Sequence, residues 1–158
     1  MKKEYLIDCD GVILNSQERF LEVMGDNKDP IAWHKYLCSI NWYLFLRECS
    51  EIDESISTLW KLQELKKLKG IITKIHSFEE GEQKLIYFRE KDIIVPIYYT
   101  LPYQKKSDVF IPEKYHILID DSKTNCREWT NAGGTSLLFD TKLSHKEKGK
   151  IKSLKDLL

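Results

Sequence analysis

Asp8 and Asp10 follow a short apolar run, Tyr5-Leu6-Ile7, and precede Gly11; far along the chain a second apolar run, Ile117 to Ile119, ends in Asp120-Asp121. Two carboxylates about 4 Å apart repel by roughly 4 kcal/mol at an effective dielectric near 20, so Asp8 and Asp120 at one site would require a cation. Mg2+, with its hard oxygen ligands and retained waters, is the ion this chemistry calls for. A phosphate monoester makes the complementary demand, since its charge must be neutralised and a nucleophile held in line with the leaving oxygen. Asp8 can attack phosphorus to give an aspartyl-phosphate, and Asp10 can protonate the leaving oxygen and later deprotonate the hydrolytic water. Thr73 offers a hydroxyl to the phosphoryl oxygens, and Lys105 or Lys106 offers positive charge. Lys74 reads equally as a surface lysine or as a second phosphate-facing cation.

Each of these residues has an ordinary reading as well. Asp is common in turns, threonine is common in strands, and lysine pairs usually face water. D-x-D-G also opens a calcium-binding EF-hand loop, but Val12 and Arg19 stand where oxygen ligands belong. Strand alternation turns Cys9 away from its two flanking aspartates, so it is read as a small buried hydrophobe.

The elements needed to position these groups are legible. Apolar runs near Tyr5 to Ile7, Gly70 to Ile75, Ile93 to Tyr99, Tyr115 to Ile119 and Ser136 to Phe139 predict five strands; helical or linking segments between them imply a parallel α/β sheet. Ser77 caps a predicted crossover helix over Phe78 to Glu90, with Glu79 and Glu80 in its first turn and Leu85, Ile86 and Phe88 as its apolar residues. Thr124 to Ala132 predicts another helix, closed by Gly133 and Gly134. In an open parallel sheet, ligands bind beyond the carboxyl ends of the strands, which is where the candidate residues fall. Residues 17 to 69 interrupt the alternation with a helix-like pattern, including Ile52, Ile56, Leu59, Trp60, Leu62, Leu65 and Leu68 near helical spacing.

The run Y-L-I-D-C-D-G-V-I at Tyr5 to Ile13 resembles the first motif of the haloacid dehalogenase (HAD) superfamily, and H-I-L-I-D-D at His116 to Asp121 resembles its acidic fourth motif. Ile71-Ile72-Thr73 resembles the second motif and K-S-D at Lys106 to Asp108 the third, with Lys105 as the fallback. The resemblance implies a Rossmann-like three-layer α/β core over residues 1–16 and 70–158 and a helical cap over residues 17–69. It implies catalysis by Asp8 and Asp10, Mg2+ held by Asp8, Asp10 and Asp120, with Asp10 contributing its backbone carbonyl, and phosphate contacts from Thr73, Lys74 and Lys106. It leaves Asp121 without a role. I-I-T-K-I at Ile71 to Ile75 and E-W-T-N-A-G-G-T at Glu128 to Thr135 resemble the 5'(3')-deoxyribonucleotidase group, which implies a nucleoside monophosphate substrate and an aromatic pocket. Trp33, Tyr36, Trp42, Tyr43 and Phe45 are the cap aromatics. Other metabolite phosphates, such as sugar phosphates, and a non-catalytic module binding magnesium and a phosphate ligand are the alternatives.

The composition fits that reading. The 158 residues are 42% hydrophobic and 32% charged, enough for one domain with a full core. Twenty-five basic residues balance twenty-five acidic ones, so neither stable nucleic-acid binding nor membrane attraction is expected. Four cysteines without metal spacing, no signal-like N-terminus and no apolar run of roughly 20 residues point to a cytoplasmic protein. A homodimer and a monomer are both open.

Overall fold

The computed structural model describes residues 2–158. Its centre is a parallel sheet of six strands among the described residues, in the order β3-β2-β1-β4-β5-β6. These are β1 (Glu4–Ile7), β2 (Leu68–Lys74), β3 (Ile97–Thr100), β4 (His116–Asp120), β5 (Thr135–Phe139) and β6 (Lys150–Ile151). The helices are α1 (Ser16–Met24), α2 (Pro30–Ser39), α3 (Trp42–Glu48), α4 (Ser55–Glu64), α5 (Phe78–Glu90), α6 (Lys106–Val109) and α7 (Lys123–Asn131), with a 3-10 turn at Leu154–Leu157.

The period-two alternation of β1 divides the core into two layers. Tyr5 and Ile7 join Ile71, Ile117 and Ile119 in a large cluster that also takes in Phe20, Leu46, Leu59, Leu62 and Phe88 from the helices. Leu6 points the other way and meets Ile72, Leu118 and Trp129, with Tyr98, Val109 and Phe110 packed against them. The molecule is thus helix, sheet, helix, with β1 buried on both faces.

Three expectations are corrected. The sheet has a sixth strand, β6, which pairs with β5 through only Leu138↔Lys150 and Phe139↔Ile151; two residues between lysines leave no periodic signal. The third strand starts at Ile97 rather than Ile93, because Asp92 turns with positive φ and Pro96 has no N–H for the ladder. Ile93 is nonetheless fully buried, and its carbonyl accepts from Arg89. Leu68 and Lys69 belong to β2 rather than to the helical segment, since Tyr5 pairs with Leu68 and Tyr5 N–H donates to Lys67 O.

The expected helices Phe78 to Glu90 and Thr124 to Ala132 are α5 and α7. Ser77 caps α5 by accepting from Glu80 N–H at 3.1 Å, and α7 runs into Gly133 at φ +105°. Residues 16 to 64 form α1 to α4. Of these, α3 lies against α5, and α4 against β2 and the 3-10 turn. The inward face of α4 is Ser55, Thr58, Leu59 and Leu62, while Trp60 and Leu65 are about half exposed. All four cysteines are free, Cys38 exposed and the others buried. Among the described residues no helix is long and apolar enough to cross a membrane.

Candidate active site

The strand order reverses at β1: β2 and β3 lie on one side and β4 to β6 on the other. The chain therefore opens a crevice above the carboxyl ends of β1 and β4, and Asp8 and Asp120 stand at its floor. Asp8 N–H donates to Ile119 O at 3.0 Å, which fixes the first aspartate beside the second. The loop after Asp8 closes on Cys9 O, which accepts from Val12, Ile13 and Leu14 N–H. Val12, Ile13 and Leu14 are fully buried, so the apolar residues of the motif anchor its acids. Gly11 has φ +82°, a backbone conformation that favours glycine, and a Cβ there would displace the Asp121 carboxylate.

Lys106 opens the four-residue helix α6 and reaches both aspartates, donating to Asp8 Oδ1 at 2.7 Å and to Asp120 Oδ2 at 2.6 Å. Lys105 is exposed and serves as the N-cap, its N–H donating to Asp108 Oδ2 at 2.7 Å. Asp120 is fully buried. It also accepts from Ser122 N–H at 2.8 Å and Asn125 Nδ2 at 3.0 Å, both at the start of α7. Asp121 completes a group of three, since Asp8, Asp120 and Asp121 each offer a carboxylate oxygen within 4.8 Å of the others.

Asp10 points elsewhere. Its Oδ1 accepts from Ser16 Oγ at 2.6 Å and its Oδ2 from Lys84 Nζ at 2.8 Å. Lys84 is a fully buried lysine on α5 that also donates to Thr73 Oγ1 at 2.9 Å and to Glu80 Oε2 at 2.7 Å. Thr73 is itself fully buried, with its hydroxyl on Lys84. Lys74 and His76 line the cleft, and Glu80 accepts from His76 N–H at 2.9 Å.

The electrostatics follow from this crowding. Burial, joined by Asp120 and Asp10, pushes Asp8 well above the usual carboxylate range despite Lys106. Partial desolvation at the cleft and then Asp120 push the carboxyl of Asp121, an exposed residue, up to about 6. Burial would raise Asp10 too, but Lys84 and the hydrogen bonds from Lys84 and Ser16 bring it below the ordinary value. Burial would lower Lys106, yet Asp8 and Asp120 raise it above an ordinary lysine. Five carboxylates, Asp8, Asp10, Glu80, Asp120 and Asp121, thus face two buried ammonium groups, Lys84 and Lys106. The deficit of positive charge and the all-oxygen donor set fit a hard divalent cation held by Asp8, Asp120 and Asp121. The Asp10 carboxylate is outside that set.

The cleft above the aspartates has a volume of about 350 Å³, and Gln17, Phe20, Trp33 and Leu37 of α1 and α2 form a wall of it. Of the five aromatics Trp33, Tyr36, Trp42, Tyr43 and Phe45, only Trp33 lines it. Trp42 and Phe45 are buried around Phe20, with ring centroids 6.3 and 5.1 Å from it. Tyr36 packs on the same cluster, and Tyr43 is half exposed beneath the Arg47 guanidinium.

Comparison with solved structures decides the fold. The chain superposes on a HAD-superfamily hydrolase from Ehrlichia chaffeensis with a TM-score of 0.56 and 14% identity, over 99% of this chain and 95% of the other. It superposes on a family IA, variant 3 HAD hydrolase from Entamoeba histolytica with a TM-score of 0.65 and 10% identity, over 98% and 94%. The fold is that of the HAD hydrolases. No protein-family model matches the chain, and no curated protein matches it in sequence. Within this HAD fold the residues read from sequence as motifs one, three and four, Asp8, Lys106 and Asp120, meet at one point. The second-motif residue, Thr73, lies beneath them, joined to the site through Lys84. Lys84, Glu80, Ser16 and Asn125 are contributors that the motifs did not indicate. Glu80 and Lys84 stand at i, i+4 with Phe88 at i+8, a spacing that a solvated ion pair on a helix shares.

Proposed function

We propose that this chain is a magnesium-dependent phosphatase that hydrolyses a small phosphate monoester through an aspartyl-phosphate on Asp8. One observation carries the reading: Lys106 bridges Asp8 and Asp120 at 2.7 and 2.6 Å within a three-carboxylate cluster. Such a cluster is repulsive unless a cation joins it, and a cation beside a carboxylate at the foot of a cleft suits phosphoryl transfer.

Asp8, Asp120 and Asp121 would hold Mg2+, which when bound neutralises charge on the phosphoryl oxygens. Lys106 orients the Asp8 carboxylate and offers a second cation to the developing charge. An Asp8 oxygen attacks phosphorus as the bond to the ester oxygen breaks, and Asp10 gives that oxygen a proton. The phosphoryl dianion beside Asp10 raises its proton affinity and so favours the acid form for this step. Water then attacks phosphorus, Asp10 takes its proton, and the bond to Asp8 breaks to release phosphate.

The preferred substrate is a nucleoside 5'-monophosphate, supported by the Trp33 and Phe20 wall over the phosphate site. The modest cleft of about 350 Å³ also favours a second reading, a smaller ester such as a sugar phosphate. The test is phosphate release from a panel of nucleotides and sugar phosphates, with and without Mg2+, by wild type and Asp8→Asn. Magnesium-dependent release by wild type alone is the expected result. Release from none of the esters, or equal release by Asp8→Asn, would overturn the proposal.

A further inference from the structure

We infer that Lys84 is a positioning residue: it holds the Asp10 carboxylate in the orientation that proton transfer to and from the ester oxygen and water requires. The inference rests on the phosphatase reading for what Asp10 does, and on geometry for what Lys84 does.

A fully buried lysine is costly unless it is paired and hydrogen-bonded. An i, i+4 partner on its own helix, Glu80 at 2.7 Å, would satisfy the charge. Lys84 goes further. Its Nζ lies 2.9 Å from Thr73 Oγ1 and 3.1 Å from Lys74 O, so the end of β2 and the first turn of α5 together fix the ammonium in space. From that fixed point it donates to Asp10 Oδ2 at 2.8 Å, across 74 residues of chain.

Asp10 sits in the loop after β1, which supplies no anchor for the side chain; the hydroxyl of Ser16, at the start of α1, donates to Oδ1. Ser16 on one oxygen and Lys84 on the other clamp the carboxylate. A carboxylate has about four lone-pair positions, so the clamp leaves two for a leaving oxygen or a water. Lys84 is not on the wall of the cleft, whereas Asp10 and Glu80 are. Lys84 therefore acts through Asp10 and does not itself touch the substrate.

Thr73 gains a meaning in the same arrangement. It is one of the posts that hold the ammonium, which accounts for a hydroxyl with no solvent exposure directed at a lysine.

The test uses Lys84→Met, which keeps the length of the side chain without the charge, and Lys84→Met with Glu80→Gln, which leaves no unpaired buried carboxylate on α5 if the single variant folds poorly. A p-nitrophenyl ester leaves without needing a proton, and a simple alkyl phosphate does not. With Mg2+ present, kcat/KM on the alkyl ester should fall about tenfold to a hundredfold more than on p-nitrophenyl phosphate, in the pattern of Asp10→Asn, since misplacing a reacting group by about 1 Å can cost a hundredfold. A lysine needed only for folding would lower both esters equally, and that result overturns the inference while leaving the phosphatase reading intact. Crystal structures of wild type and variant give an answer that needs no turnover. The Asp10 carboxylate should rotate away from its wild-type orientation, and an unchanged Asp10 in the variant overturns the inference even if no ester is hydrolysed.

Discussion

Lys106 and Asp8, 98 residues apart in the chain, are joined by a hydrogen bond of 2.7 Å from the lysine Nζ to Oδ1 of the aspartate. Both are largely buried at the floor of the cleft, so water there is a poor substitute for the positioned ammonium. Lys106→Met should therefore lower turnover by about a hundredfold or more, the usual order for loss of a positioned electrostatic donor. Lys105→Ala, at an exposed N-cap, should change turnover less than about twofold on the same scale. Steady-state rates for the two variants decide between them, and a reversed ranking would transfer the role to Lys105.

Magnesium affinity should follow the cluster. Isothermal titration of Mg2+ should show a much larger loss of affinity in Asp120→Asn and Asp121→Asn than in Asp10→Asn. The Asp10 carboxylate is already taken by Ser16 and Lys84, whereas Asp120 and Asp121 converge with Asp8. Asp10→Asn weakening the ion most would remove Asp121 from the ligand set.

The pH dependence of the metal-free protein has a definite sign. Asp121 is an exposed residue at the cleft rim, and its carboxyl is pushed up to about 6, by partial desolvation and then by Asp120, from an ordinary value of 3.8. A carboxyl raised in this way stabilises the fold while protonated; its contribution is complete below about 3.8 and is lost as the pH rises through about 6. Between those limits Tm should shift downward more for wild type than for Asp121→Asn, whose amide does not titrate. Parallel Tm profiles in chelator would show that Asp121 titrates normally.

The aromatic wall separates recognition from packing. Trp33 lines the cleft, so Trp33→Ala should cut kcat/KM for a nucleotide by about tenfold relative to p-nitrophenyl phosphate, as expected for one lost base stack. Trp42 is 1% exposed, with Nε1–H donating to Leu37 O at 3.1 Å. Trp42→Ala should cost about 3–5 kcal/mol of stability and affect both substrates alike. A nucleotide preference untouched by Trp33→Ala would favour the sugar-phosphate reading.

The parts of the site legible in the sequence were those at strand ends. Asp8 and Asp120 follow apolar runs, and the parallel alternation of strands and helices brings such positions to one edge of the sheet. Lys106 was separable from Lys105 only through the K-S-D resemblance, since both are lysines in a turn. Lys84 was missed because α5 read as a crossover helix whose apolar residues were Leu85, Ile86 and Phe88, set among charges. In the structure Leu85 and Ile86 are 38% and 36% exposed, and Glu80, Gly81, Lys84, Tyr87 and Phe88 face inward. A charge pair buried at helical spacing gives the same letters as a solvated one, and only the partners from β1 and β2 tell them apart. For the same reason five aromatics in one segment could not be divided into Trp33 on the wall and Trp42 and Phe45 in the core.

The central place of β1 has a consequence for how the chain is made. Tyr5 pairs with Leu68 on one side and Ile117 on the other, so β1 has both of its edges covered only once β4 has been made. Sheets built from such distant pairings fold slowly, because long loops must close before any pairing is rewarded. While the ribosome is still working toward β4, Tyr5-Leu6-Ile7 remains an apolar segment with an open edge, the kind of surface that chaperones shield and aggregates recruit. Asp8, the proposed nucleophile, therefore follows a strand that waits on a distant partner during translation, and Asp8 and Asp120 can meet only after the nascent chain has passed Ile117.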